Sequence, residues 1–103
     1  MTKAEVITEI ANQTGIDKAE VTRTVETFFK VVKNRMADGE NIYVRGFGSF
    51  VNKKRASKIG RDISKNKAIK IDAHYIPSFK PSKAFVEKVK KSDRVWLANE
   101  EAK

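Results

Sequence analysis

Residues 45–50 read Arg45-Gly46-Phe47-Gly48-Ser49-Phe50, and they begin a basic segment that extends to Lys91. From Lys53 to Lys91 there are thirteen Lys or Arg residues and three acidic ones, a net charge of +10. The remainder has nine basic and ten acidic residues, so it is nearly neutral. Positive charge concentrated in one part of a chain is typical of a surface that binds a polyanion.

The pattern of apolar residues around this segment predicts antiparallel strands. Ile42 and Val44 predict a short strand, and the glycines of the opening sequence allow a tight turn into a second strand that begins near Ser49. Beyond Phe50 the alternation continues with more charge and fewer apolar residues, which predicts a two-stranded ribbon arm over about residues 53–75. A ribbon with so few core residues is not stable by itself and needs another molecule packed against it.

Two helices are predicted before these strands. Thr2 to Glu5 and Asp17 to Glu20 both have the spacing of a capping box, and each precedes apolar residues at helical spacing. We therefore expect one helix over about residues 3–13 and a second that ends at Asp38, joined by a tight corner as a helical hairpin.

The chain after the arm is predicted to end in a short helix and a tail. Pro81 is suited to the first turn of a helix, and the tail, residues 92–103, is polar apart from Val95, Trp96 and Leu97. These apolar residues either extend the last helix and cover an apolar patch of the body, or they form a contact site for another molecule. We expect residues 1–91 to form one domain, with residues 92–103 as a C-terminal tail outside it.

Composition limits the class of protein. A chain of 103 residues with 40% hydrophobic content buries little core, so an oligomer that completes the core is expected. There is no Cys, and we see neither an apolar secretory signal nor a run long enough to span a membrane. We expect a cytoplasmic protein.

Catalytic and metal-binding constellations are not found in the sequence. His74 is the single histidine, and the acidic residues mostly occupy helix caps or solvated helix positions. Nucleophile elbows, phosphate loops and metal-ligand spacings are missing as well. We therefore predict that the protein is not an enzyme and needs no cofactor or metal.

The net charge of +9 is compatible with nucleic acid, an anionic membrane or an acidic protein as partner. Nucleic acid is favoured, because the charge lies on predicted strands rather than on an amphipathic helix, and a basic ribbon has the width to follow a groove. Ile63 is an apolar residue at the predicted tip of this charged arm. It is either an ordinary exposed hydrophobic residue or a wedge that enters between base pairs.

The order of these motifs resembles the bacterial HU and integration host factor family of histone-like proteins. The resemblance rests on the helical hairpin, residues 45–50, Gly60-Arg61 before the arm tip and the closing sequence at residues 77–81. Residues 45–50 are most similar to the beta subunit of integration host factor. The resemblance implies an α+β fold in which the helical hairpin, a three-stranded antiparallel sheet with a long β-ribbon arm and a short C-terminal helix form an intertwined dimer. It also implies that Ile63 stands where the family usually has an intercalating proline.

The resemblance further assigns roles to individual residues. The arm residues expected to follow the minor groove and its phosphates are Arg55, Lys58, Arg61, Lys65, Lys67 and Lys70, with Lys53 as a further DNA contact and Ile63 as the wedge. Lys80 and Lys83 are expected to contact phosphate on the flank of the bent duplex, Lys3 adds another phosphate contact, and Arg45 has a shape- or base-reading role. The residues expected in the dimer core are Phe28, Phe29, Val32, Phe47, Phe50 and Phe79.

The predicted function is architectural. A dimer would bind duplex DNA through the minor groove and bend it by inserting Ile63, and so organise the nucleoid or nucleoprotein complexes. The partner subunit is either a second copy of this chain or a related subunit. The alternatives are an RNA-binding module and a protein-interaction module that uses the basic arm and the C-terminal tail.

Overall fold

A computed structural model describes residues 1–62 and 67–101 of the chain. The chain divides into two compact units, Met1–Asp38 and Gly39–Lys103. The first unit is helical, and the second contains all the described strands together with two helices.

The first unit is the predicted helical hairpin, α1 (Lys3–Thr14) and α2 (Lys18–Ala37). Thr2 caps α1, because its Oγ1 accepts a hydrogen bond of 3.2 Å from the Glu5 amide. In a capping box the Glu5 carboxylate would also accept a hydrogen bond from the Thr2 amide. Here it accepts instead from the Thr2 hydroxyl, at 3.3 Å. Asp17 does occupy the N-cap of α2, but the prediction that its side chain caps the helix is wrong.

The core of the hairpin is small. Ile7, Val21 and Met36 are the only buried apolar side chains among the described residues of the whole chain. All three lie in the first unit, one on α1 and two on α2. The hairpin therefore has its own minimal core, while the second unit has no fully buried apolar side chain in its described part.

The second unit is built on two antiparallel sheets. A three-stranded sheet has the order β1-β2-β5, with β1 (Ile42–Val44), β2 (Gly48–Arg55) and β5 (His74–Pro81). A two-stranded sheet contains β3 (Lys58–Asp62) and β4 (Lys67–Ile71). Gly46 lies in the turn between β1 and β2 with φ of 81°, a left-handed conformation that glycine adopts without strain.

The two sheets share one register, so the predicted arm is a single ribbon with a short interruption. Arg55 pairs with His74 at the end of the larger sheet, and Lys58 pairs with Ile71 at the start of the smaller one. Residues 56–57 and 72–73 separate these pairs, two residues on each strand. Because the numbers are equal, no residue is gained or lost between the body of the sheet and the arm.

The chain then continues into α3 (Lys83–Lys90). Pro81 is the last residue of β5, so the prediction that it begins the helix is wrong; Ser82 caps α3 by accepting from the Phe85 amide at 3.2 Å. The Ser82 hydroxyl also donates to the Gly46 carbonyl at 3.0 Å, and the Ser82 amide donates to the Phe47 carbonyl at 2.8 Å. These bonds fix the start of α3 against the β1–β2 turn.

Residues beyond α3 form a further helix, α4 (Asp93–Glu101), where the sequence had suggested a tail. Residues 91–92 separate it from α3, so the last helix is not simply extended. Trp96 is 65% exposed and Leu97 60% exposed, so they do not cover a patch of this chain. Of the two expectations for these residues, packing within the chain is wrong.

Candidate nucleic-acid interface

Four basic side chains of the arm are exposed and have no acidic partner among the described residues. Lys53, Arg55, Lys58 and Lys70 all lie at the surface of the ribbon. Over residues 1–62 and 67–101, none of these four makes an ion pair. Their positive charges are therefore available to phosphates.

Strand pairing divides these cations between two faces, because side chains alternate across a strand and paired residues share a face. In the body of the sheet, Lys53 and Arg55 lie on the face of Lys80, opposite the face that carries Phe50 and Phe79. The face that carries Lys53, Arg55 and Lys80 is therefore basic, whereas Lys54 lies on the phenylalanine face.

The same alternation applies in the arm, where Lys58 shares a face with Ile69 and Ile71. Lys70 lies on the other face, paired with Ile59. The sequence analysis assigned both Lys58 and Lys70 to the minor groove. The register puts their side chains on opposite faces of the ribbon.

Two of the predicted site residues, Ile63 and Lys65, lie outside the described residues, so the wedge stays a prediction. Arg61 lies in β3 and pairs with Ala68, and Lys67 lies in β4 and pairs with Asp62.

The four remaining predicted contacts lie on four different elements. Lys80 is in β5 beside Ser49, and Lys83 is the first residue of α3; both are exposed. Arg45 is exposed in the turn after β1. Lys3 belongs to the helical unit and forms an ion pair with Glu26 at 3.2 Å, a partner that the sequence had not indicated. Both side chains of that pair are about half exposed, so the bond is weak and does not withdraw Lys3 from other anions.

Two other features are missing from the described part of the chain. No cluster of three or more His, Cys, Asp or Glu residues that could hold a metal ion is present there. None of the helices in those ranges is long and apolar enough to cross a membrane.

Comparison with known proteins identifies the family. The model of the bacterial DNA-binding protein family matches residues 1–90. The DNA-binding protein HU of Lactococcus lactis is 39% identical over 88 residues, which cover 85% of this chain and 97% of that protein. The integration host factor subunit alpha of an Anaeromyxobacter species is 33% identical over 95 residues, 92% of this chain and 96% of that protein. This chain belongs to the bacterial DNA-binding protein family.

Solved structures of the family support the fold. The Anabaena HU–DNA cocrystal structure matches with a TM-score of 0.84 at 26% identity, and the match covers 89% of this chain and all of that one. HU from Thermotoga maritima matches with a TM-score of 0.60 at 29% identity, over 86% of this chain and 98% of that one. The predicted α+β fold, with its helical hairpin, three-stranded sheet and arm, is therefore confirmed.

Family membership also confirms the functional class. Proteins of the HU and integration host factor family are architectural DNA-binding proteins without enzymatic activity, and they assemble as homodimers or heterodimers. Membership associates the chain with bacterial DNA and so with the nucleoid. The finer resemblance to the beta subunit stays a prediction.

A dimer gives a physical reason for the exposure of the predicted core aromatics. Phe28 and Phe29 stack edge to face, with ring centroids 5.7 Å apart, yet each is nearly half exposed in the single chain. In the second unit, Phe79 lies 5.2 Å from Phe47 and 5.1 Å from Phe50, again measured between centroids. Large exposed apolar surfaces of this kind are typical of a subunit interface.

The predicted dimer core omits one residue of the aromatic cluster. Phe85, on α3, has its ring centroid 5.2 Å from that of Phe47 and 6.2 Å from that of Phe79. Its place on the apolar stripe of the last helix, with Ala84 and Val89, was the available signal.

Proposed function

We propose that this chain, as a dimer, binds duplex DNA through the minor groove and bends it by inserting Ile63, in the cytoplasm of a bacterial cell. The bent DNA would organise the nucleoid or a nucleoprotein complex. The observation that carries this proposal is the single basic ribbon, in which β2–β5 and β3–β4 share one register and four described cations, Lys53, Arg55, Lys58 and Lys70, have no ion pair among the described residues. Such a ribbon can follow a groove while Lys and Arg displace counterions from the phosphates.

The energetics of bending favour an apolar residue at the arm tip. Unstacking a base step costs a few kcal/mol, a figure drawn from minor-groove binders that include this family, and added contact with the wrapped DNA offsets it. Isoleucine has the apolar volume of a wedge but lacks the rigid ring of proline. We therefore propose that Ile63 inserts, and that DNA which is nicked or already bent is preferred because less deformation remains.

We also propose roles for the other residues, as the family resemblance implies. The residues that we assign to the phosphates or walls of the minor groove are Lys53, Arg55, Lys58, Arg61, Lys65, Lys67 and Lys70. Lys80 and Lys83 would contact the flank of the bent duplex, with Lys3 as a further contact and Arg45 in shape or base reading. We assign Phe28, Phe29, Val32, Phe47, Phe50 and Phe79 to the dimer core.

We also propose that residues 1–91 form the DNA-binding domain. The family match to residues 1–90 supports this boundary, as does the separation of α4 from α3 at residues 91–92. Residues 92–103 would then be dispensable for DNA binding. The exposure of Trp96 makes them available for other contacts.

Energy transfer between dyes on the two ends of a short DNA duplex tests the proposed function. Titration with the wild-type protein is expected to raise the transfer, because bending brings the ends together. Ile63→Ala is expected to retain most of the binding and to blunt this rise, since it removes the wedge while leaving the basic arm. A chain that ends at Lys91 is the matched control and should bend the duplex as the full chain does.

Each result has a clear meaning. Tight binding without a change in transfer, for the wild type, would overturn the bending function. An Ile63→Ala protein that bends DNA as fully as the wild type would remove Ile63 from the wedge role. Loss of binding in the shortened chain would move the domain boundary beyond Lys91.

Lys80 offers a separate test of the flank contacts. Lys80→Ala is expected to weaken binding to all duplex sequences, and to reduce the slope of log K against log salt by about 0.9 for each phosphate that the lysine neutralises. Lys33→Ala removes the same charge from α2, outside the assigned contacts, and is expected to leave the slope nearly unchanged. Equal slopes for the wild type and Lys80→Ala would exclude Lys80 from the interface.

A further inference from the structure

The hydroxyl of Ser82 is shared between two parts of the second unit. It donates to the Gly46 carbonyl at 3.0 Å and accepts from the Phe85 amide at 3.2 Å. A hydroxyl has one donor and two acceptor positions, so it makes both bonds at once. The bond from Phe85 caps α3, which is a common role of serine at a helix start. The bond to Gly46 is not needed for capping, and it joins residues 36 positions apart in the sequence.

The Gly46 carbonyl belongs to a tight turn that carries Arg45. The Phe47 amide closes this turn by donating to the Val44 carbonyl at 3.0 Å, and Gly46 is its third residue, with φ of 81°. A positive φ at the third position is typical of a type II turn, but glycine adopts many other conformations with equal ease. Without further contacts, the turn would be held by one bond around its most permissive residue.

Ser82 supplies the further contacts, one from its backbone and one from its side chain. Its amide donates to the Phe47 carbonyl at 2.8 Å, which continues the pairing of β2 with β5 beyond Gly48 and Pro81. A substitution of the side chain leaves this amide bond in place. The hydroxyl bond depends on the side chain alone, and it fixes the peptide group between Gly46 and Phe47.

Arg45 is the residue whose placement depends on this turn. It is the second residue of the turn and is exposed, and it forms no ion pair within residues 1–62 and 67–101. Its side chain is therefore oriented by the backbone rather than by a charged neighbour. A flexible group that is ordered only on binding loses affinity to conformational entropy, and a backbone that is already ordered reduces this loss.

We propose that Ser82 is a positioning residue for DNA recognition, because its hydroxyl holds the turn in the conformation from which Arg45 reaches the DNA. The inference rests on the proposed function, since Arg45 is assigned to shape or base reading there. Ser82 acts through Arg45 and needs no contact of its own with the DNA. The same hydroxyl also caps α3, so the test must separate the turn from the cap.

Three variants achieve this separation. Ser82→Gly removes the hydroxyl but retains most of the stability of α3, because glycine is far better tolerated than alanine at an N-cap. Ser82→Thr keeps both the donor and the acceptor. Thr14→Gly is the matched control: the Thr14 hydroxyl donates to the Ile10 carbonyl at 2.7 Å and accepts from the Ile16 amide at 3.2 Å, but it lies in the first unit, outside the assigned contacts.

A double-mutant cycle with Arg45→Ala measures whether Ser82 acts through Arg45. Affinity for a short duplex of mixed sequence is measured by fluorescence anisotropy at one salt concentration. Arg45→Ala is expected to weaken binding at least about tenfold, as for loss of a charged contact, and Ser82→Gly about three- to fivefold. The double variant should bind within about twofold of Arg45→Ala alone, because the two residues share one contribution.

A measurement without DNA tests the clamp on the turn directly. The Phe47 amide belongs to the same peptide group as the Gly46 carbonyl, so its NMR order parameter reports the motion of that group. We expect about 0.85 in the wild type and in Ser82→Thr, and about 0.6 or less in Ser82→Gly. Thr14→Gly should match the wild type in this value and in DNA affinity.

The outcomes distinguish failure of this inference from failure of the proposed function. A Ser82→Gly protein with the affinity and order parameter of the wild type would overturn the inference alone. Losses that simply add in the double variant would also overturn it, because Ser82 would then act through the α3 cap. The same holds if Ser82→Thr behaves as Ser82→Gly, or if Arg45→Ala binds as the wild type does. A wild type that does not bind duplex DNA would overturn the proposed function, and this inference with it.

Discussion

Phe79→Ala is expected to lower the free energy of unfolding by about 3 kcal/mol, within the range for removal of a packed phenylalanine. The Phe79 ring lies between those of Phe47, Phe50 and Phe85, with centroid separations of 5.2, 5.1 and 6.2 Å. Its removal leaves a cavity that β-sheet residues cannot fill without moving. Urea denaturation followed by far-ultraviolet circular dichroism, at several protein concentrations, measures the loss.

Tyr75→Ala is the matched control for this substitution. Tyr75 is an aromatic residue on the same strand and the same face as Phe79, but it is 65% exposed and pairs with Lys54. Its replacement should change the stability by no more than about 0.5 kcal/mol, as is usual for surface residues. If the two variants were equally stable, the aromatic cluster would not be the core of the second unit.

Gly48→Ala is expected to lower the free energy of unfolding by about 2 to 3 kcal/mol or more, because there is no room for a side chain at this position. A Cβ at this position would lie 2.5 Å from the backbone oxygen of Lys80 and 2.6 Å from Cζ of Phe79. The first atom cannot move without disturbing the pairing of β2 with β5. The same denaturation experiment measures the effect, with a fall in the midpoint as the expected result.

Gly60→Ala provides the comparison, since Gly60 is also a strand glycine. The nearest atom to its added Cβ would be Cδ1 of Ile71 at 3.3 Å, the mobile end of a side chain. We expect a change within about 0.5 kcal/mol. A Gly48→Ala protein as stable as Gly60→Ala would contradict the close approach of β2 and β5.

The order and type of the main elements were predictable because local interactions specify them. Helical spacing of apolar residues, capping residues and alternation identify α1, α2 and the strands with errors of one or two residues at most ends. The errors concern residues whose types are compatible with more than one local conformation. Asp17 occupies the N-cap but makes no side-chain cap bond, and Pro81 ends a strand instead of starting a helix.

The candidate site was predictable in composition but not in arrangement. The charge of the segment after Lys53 identified the cations of the arm. Which cations share a face depends on the partner strand, and this separates Lys58 from Lys70. The sequence likewise showed that Trp96 is apolar but not whether anything covers it.

By itself, the sequence determined the family, the predominance of positive charge between residues 53 and 91, and the order of helices and strands. All of these depend on neighbouring residues or on composition. Only the tertiary structure decided the common register of sheet and arm, the aromatic cluster around Phe79 and the bonds from Ser82 to the β1–β2 turn. Each of these joins residues distant in the chain, and their pairing is selected by the packing of the whole second unit.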